Sequence, residues 1–218
     1  MCARFNLTSS DQVARYFQGR LVFEEPPRYN IAPSDVVLAA VAFHEHGMKL
    51  EPQRWGVHMG HRPQPVINFR SESSMLEKTL DAGSRYARCL IPATGFFEWR
   101  TEGGVKQPYN FMMKDREAFA FAGLFVEGKE GPPECAILTC EPNELVAEYH
   151  DRMPSIIAPD RADAWLFSDE TDEVLFLARV PFPADRMAAF PVTRKMGNPR
   201  YQEAASVVQA EPENPTLF

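Results

Sequence analysis

The chain has 218 residues, 44% hydrophobic and 24% charged, with 23 Lys plus Arg against 30 Asp plus Glu. That is ordinary globular composition with enough chain for a sizeable core, and the net charge of −7 argues against a broad nucleic-acid coating while leaving room for a narrow basic cleft. No apolar run approaches the roughly 20 residues of a membrane helix, and Met1-Cys2-Ala3-Arg4-Phe5-Asn6 lacks the charged and apolar regions of a secretion signal, so the expectation is a cytoplasmic protein with no membrane partner. In chain order, Val13, Tyr16, Phe17 and Arg20 space as one face of a helix, with Ser9 or Ser10 as its cap. Residues 28–33 read as a loop after two prolines. Residues 36–43 read as a buried strand that turns at His46-Gly47 into a second strand over 48–57. A short strand over 65–70 and a helix over 73–80 follow. Residues 88–99 form two extended runs broken at Thr94-Gly95, and Gly103-Gly104 turns the second into 107–113. Apolar strands are expected at 118–126 and 135–140, and helices at 143–149 and 160–167. Residues 190–208 are weakly patterned.

Strands dominate, and the 19 prolines punctuate short segments. The expected fold is α+β: one β-rich domain over 1–218, a curved, barrel-like and mainly antiparallel sheet with surrounding helices. The βαβ alternation of a doubly wound fold is absent, as is a glycine-rich phosphate loop. The acid-rich run 169–173 and the tail around Glu211 and Glu213 read as solvated faces.

The cysteines are Cys2, Cys89, Cys135 and Cys140. Their spacing holds no C-x-x-C, which argues against a zinc ribbon. The last three lie in apolar stretches and read as buried small hydrophobes, whereas Cys2 lies at the terminus, where chains are usually exposed. Trimming Met1 would place a thiol and a free α-amine on one framework, with ordinary pKa values of about 8.5 and about 7.7–8.0. An aldehyde condenses with such an amine to an imine, and the thiol closes a five-membered thiazolidine. That second step is intramolecular, and well-oriented cases reach effective molarities of about 10⁵–10⁸ M. By position alone, the plainer reading of Cys2 is a chance thiol near a start codon.

Other constellations carry similar alternatives. If 67–72 is extended, Asn68, Arg70 and Glu72 share a polar face, with Ile67 and Phe69 on the other. This is either a face for an amine and a phosphate or a solvated strand with an ion pair. Glu98 lies in the aromatic run Gly95-Phe96-Phe97-Glu98-Trp99, where desolvation would raise its pKa toward neutral proton transfer; otherwise it is a surface glutamate. His150 follows the helix from Asn143, with Asp151 and Arg152 beside it to fix its orientation; it is a proton-transfer group or a C-cap. His44 and His46 flank a turn, and His58 and His61 lie in a Gly/Pro-rich loop. No metal site or cofactor is expected.

Taken in order, Met1-Cys2-Ala3-Arg4-Phe5, Arg28-Tyr29-Asn30-Ile31-Ala32-Pro33, Trp55-Gly56, Ile67-Asn68-Phe69-Arg70-Ser71-Glu72, Gly95-Phe96-Phe97-Glu98-Trp99 and His150-Asp151-Arg152-Met153-Pro154 resemble the SOS response-associated peptidase (SRAP) family from Cys2 to about Asn198. The resemblance implies a β-rich α+β fold. It implies binding of single-stranded DNA and covalent capture of abasic sites through a thiazolidine on Cys2, which shields the lesion. It implies that Asn68 positions the Cys2 amine and that Glu98 and His150 move protons. Arg4, Asn30, Trp55 and Arg70 would lie near the DNA backbone or the flanking bases. The family usually has Gly at the position of Ala3 and a small residue at that of Phe69. Two other readings use the same residues. One is a cysteine peptidase or autopeptidase with Cys2 as nucleophile, His150 as base and Glu98 as orienter. The other is a non-catalytic module stacking bases on Trp55, Trp99 and Tyr29. A monomer is expected.

Overall fold

The computed structural model describes residues 2–43, 47–60, 62–81, 83–128 and 131–210. Met1, His44, His46, His61, Glu211 and Glu213, and with them the expected turn at His46, lie outside the described residues. The strands are β1 (Phe5–Leu7), β2 (Arg28–Ile31), β3 (Val36–Phe43), β4 (Gly47–Trp55), β5 (Asn68–Arg70), β6 (Tyr86–Ala93), β7 (Gly95–Glu102), β8 (Val105–Met113), β9 (Phe119–Val126), β10 (Glu134–Cys140), β11 (Met153–Pro154), β12 (Ile156–Ile157) and β13 (Met187–Pro191). The helices are α1 (Ser10–Tyr16), α2 (Ser74–Glu77), α3 (Glu144–Ala147), α4 (Ala162–Phe167) and α5 (Thr171–Arg179). None of the described helices is long and apolar enough to cross a membrane.

The α+β expectation holds, and the pairing is mainly antiparallel. One sheet runs β13-β8-β7-β1-β2, all antiparallel. In the other, β4, β3, β6, β9 and β10 pair in turn and β10 returns to β4, so the ladder closes on itself. Closure removes the sheet edges that would otherwise invite aggregation. The parallel contacts are those of β10 with β4 and β5. Between the sheets, Phe5 meets Trp55 at 5.1 Å and Phe121 at 5.4 Å, both edge-on. Phe96 stacks on Phe111 at 5.0 Å. Such offset and edge geometries suit aromatic quadrupoles.

Local signals placed many elements. Ser9 caps α1 by accepting from the Gln12 amide, and the Thr94-Gly95 break and the Gly103-Gly104 turn both fall where expected. Three segments differ. Residues 28–31 are not loop but strand β2, held by pairing Phe5 with Ile31; a partner some 25 residues away leaves no local pattern. Residues 171–179, entered through an acidic run, form α5, whose inward Val174 and Ala178 are buried. Residues 187–191 form β13 against β8.

Gly95 opens β7 under a buried amide pair, Asn6 Nδ2 donating to Asn110 Oδ1 at 3.0 Å. A Cβ there would lie 2.6 Å from that Oδ1 and 2.8 Å from that Nδ2. Gly95→Ala should therefore force the pair apart and cost about 2–4 kcal/mol, read as a lower urea midpoint at unchanged m-value. A melt superimposable on the parent would show that the pair yields freely.

Candidate active site

The site is assembled by register. Strand β1 runs antiparallel to β7 with Phe5 opposite Phe96, and the Phe97 amide donates to the Arg4 carbonyl at 3.0 Å. Continued one residue, this ladder sets Ala3 opposite Glu98, and Cys2 follows within reach of the Glu98 charge. The expectation that Cys2 is exposed fails: its side chain is wholly buried, because the first residues are the end of a central strand rather than a loose tail. Its thiol points to the Arg4 carbonyl at 3.6 Å. Burial first, and the Glu98 charge second, push the thiol pKa well up, so the described site holds a neutral thiol. Cys89, Cys135 and Cys140 are buried in the core as expected.

Asn68 reaches Cys2 from β5. Its Nδ2 donates to the Cys2 carbonyl at 2.9 Å. Its Oδ1 is buried with no hydrogen-bond partner among the described residues. A buried acceptor left open costs about 1–3 kcal/mol unless something fills it, so this oxygen marks where a donor belongs. The strand carrying it is fixed from below: the Ile67 carbonyl accepts from Trp55 Nε1 at 3.0 Å and from the Ile137 amide at 3.0 Å. Phe69 turns into the core and Arg70 outward, as alternation requires. The strand ends at Arg70, so Glu72 does not continue its face.

Glu98 is 3% exposed. Burial raises its carboxyl pKa, and the charges of the amino terminus and then of His150 oppose the rise. His150 arrives from the end of α3, its amide bonded to the Val146 carbonyl. The preceding Tyr149 packs on Tyr109 at 4.7 Å and Phe111 at 5.0 Å, and Tyr109 is the cross-strand partner of Glu98. Those rings set the imidazole near the carboxylate. His150 Nδ1 lies 3.0 Å from the Arg152 amide nitrogen and 2.7 Å from Asp151 Oδ1, so these neighbours take that ring nitrogen and leave Nε2 for other work.

A clamp stands behind His150. Buried Arg152 forks onto Glu72 at 2.9 and 2.8 Å, reaches Glu141 at 3.0 Å and donates to the Thr139 carbonyl. The sequence places Arg152 beside His150, but its partners lie on distant segments that no spacing announces. Arg152→Ala should cost about 2–4 kcal/mol, because the clamp and the Thr139 carbonyl lose their donor. The Arg152 hydrogen bond also holds the Glu72 carboxyl below its ordinary pKa. That part of the stability is present above the ordinary carboxylate range and is lost as pH falls through the lowered value. Urea midpoints measured from neutral to acid pH should therefore converge for parent and variant at low pH; a gap constant with pH would contradict this account.

Four further residues were expected near DNA. Arg70 is exposed, and its side chain enters no ion pair among the described residues. Arg4 is half-buried and donates to Asn30 Oδ1 at 3.0 Å and to the Met196 and Gly197 carbonyls. Asn30 is wholly buried, its Nδ2 donating to the carbonyls of Met196, Asn198 and Tyr201. Trp55 is wholly buried, so it has no surface for a base to stack on in this arrangement; it braces Asn68 instead. No His/Cys/Asp/Glu cluster suited to a metal occurs among the described residues.

The chain is similar to known proteins over most of its length. A family model described as SOS response associated peptidase (SRAP) matches residues 1–199. The chain is 33% identical to the abasic site processing protein YoaM of Bacillus subtilis, over 97% of this chain and 99% of that one. It is 28% identical to the abasic site processing protein YedK of Escherichia coli, over 94% and 97%. A crystal structure of a Bacteroides thetaiotaomicron protein superposes with a TM-score of 0.74 at 21% identity, covering 96% of this chain and 100% of that one, and so shares the fold. With the family model spanning nine-tenths of its length and a full-length relative at this identity, the chain belongs to the SOS response associated peptidase family.

Proposed function

We propose that this protein processes abasic sites in single-stranded DNA by capturing the ring-opened sugar aldehyde on Cys2 after Met1 is removed. Removal turns the Cys2 nitrogen from an amide into an amine. The amine adds to the aldehyde and water leaves, giving an imine. The thiol then adds across the C=N bond, its proton passing to the nitrogen, and the thiazolidine closes. The observation that carries the reading is the open Asn68 Oδ1, held beside Cys2 by the amide's own Nδ2 and suited to accept from that amine. Glu98, whose carboxyl pKa burial raises, supplies a proton-exchanging carboxyl, and His150 is the second proton carrier. Cys2, Asn68, Glu98 and His150 are thus the proposed catalytic group. Arg70 and Arg4 are the proposed contacts to flanking phosphates, and Asn30 and Trp55 act from within by holding Arg4 and Asn68. The names of the relatives, abasic site processing proteins from bacteria, support the same substrate.

The peptidase reading is favoured only in its autocatalytic form. A wholly buried thiol whose pKa is pushed up is a poor nucleophile toward peptides in trans, whereas the Met1–Cys2 bond is already at the site by connectivity.

The test is intact-mass spectrometry of protein confirmed to begin at Cys2, after incubation with a single-stranded oligonucleotide carrying one abasic site. The expected species weighs protein plus DNA less one water. No such species, with the Met-free terminus verified, would overturn the reading.

A further inference from the structure

Residues 193–202 cross the face of the five-stranded sheet opposite the barrel. Phe97, Val192 and Met196 form a small core there, packed by Trp99, Phe190 and Tyr201. The crossing is not left to packing. Asn30, wholly buried, donates to three of its carbonyls, at 2.9 Å to Met196, 3.0 Å to Asn198 and 3.1 Å to Tyr201. Arg4 adds bonds to Met196 and Gly197, and Gln202 Nε2 ties back to the Asn30 carbonyl at 2.8 Å. The segment's own turns are capped: Thr193 Oγ1 accepts from the Lys195 amide and Asn198 Oδ1 from the Arg200 amide. What this latch presents to solvent is cationic. Arg194, Lys195 and Arg200 are exposed, against one acid, Glu203. Lys195 and Arg200 enter no ion pair among the described residues, although the chain as a whole carries −7. Arg4, two residues from Cys2 in sequence, and Asn30 are the side chains the strap is bonded to.

We propose that residues 193–202 are a phosphate-binding strap, in which Lys195 and Arg200 take the sugar–phosphate backbone of the strand carrying the lesion and Asn30 is the positioning residue that holds the strap against Arg4. This rests on the abasic-DNA reading above. The cations engage phosphates without reading bases, so they serve any sequence around a lesion that has itself lost its base. Rigid placement lowers the ordering cost of each contact.

The experiment measures binding of an undamaged single-stranded oligonucleotide across a salt series, for the parent, for Lys195→Ala/Arg200→Ala, and for Arg161→Ala/Arg186→Ala as a control of equal charge change elsewhere. Both strap residues are exposed, so folding is spared. The double strap variant should bind several-fold more weakly than the control variant. Its slope of log K against log salt should be shallower by about 1.4, roughly 0.7 for each phosphate contact on a single strand. Asn30→Asp, which keeps the acceptor for Arg4 and removes the donors to the strap carbonyls, should flatten the slope toward that of the double strap variant. Strap and control variants that lose affinity and slope equally would overturn the proposal, reducing the effect to net charge. A parent that forms no adduct with abasic DNA would overturn the reading beneath it; a parent that forms the adduct while the strap variant keeps parental slope would overturn the strap alone.

Discussion

Cys2→Ala is expected to abolish the covalent product with abasic single-stranded DNA. The alanine variant keeps the α-amine and so can still pass through an imine, but with no thiol the five-membered ring cannot close and water reverses the imine. Cys2→Ser separates the two steps further: it should show a product only after reduction with borohydride, which fixes the imine as an amine. The effect on stability should be small by comparison. Cys2 is one of many residues in a continuous core, and loss of one buried sulfur costs about 1–2 kcal/mol, well short of unfolding a domain of this size. Parent and Cys2→Ala giving the same unreduced adduct would place the chemistry elsewhere.

Glu98→Gln should slow adduct formation by about 10²–10⁴-fold, the usual contribution of a positioned proton-transfer group. The pH profile is the sharper test. Burial raises the Glu98 carboxyl pKa, only partly offset by the charges of the amino terminus and of His150. Acting as the proposed base that opens the sugar ring, Glu98 would work in its ionised form. The rate should therefore fall as pH drops through the raised pKa, with an inflection above the ordinary carboxylate range. Glu98→Gln cannot ionise and should lose that limb while keeping whatever dependence the Cys2 amine imposes at higher pH. A profile whose acid limb survives the substitution would assign the limb to another group. Oxygen-to-amide replacement changes the side chain little in size, so a far-ultraviolet spectrum and melt close to the parent would tie the rate loss to proton transfer rather than to packing.

Much of the sheet and four of the candidate residues were legible because their signals are local. Alternating and apolar runs marked β3, β6, β7, β9 and β10, and the Gly103-Gly104 pair marked the hairpin between β7 and β8. The aromatic flanks of Glu98 announced its burial, the alternation at 68–70 separated Asn68 and Arg70 from Phe69, and the helix from Asn143 put His150 just beyond its end. Strand β2 and the strap were not legible, since each is defined by partners far along the chain: β2 by Phe5, the strap by Asn30 and Arg4. A pattern confined to a window cannot register a bond across about 165 residues.

The sequence by itself determined the chemical inventory: a second-position cysteine, an asparagine on a strand, a carboxylate among aromatics and a histidine after a helix, in the order that marks the family. Only the tertiary structure decided how those groups could act. Register with β7 buries Cys2 beside Glu98 and keeps its thiol neutral. Trp55, expected to meet DNA, is spent inside on holding the strand of Asn68, and Asn30 on holding the strap. The physical reason is the same in each case. Burial and hydrogen-bond partners set a side chain's pKa and its freedom to meet a ligand, and both are properties of what the fold packs around a residue, not of the residue or its neighbours in sequence.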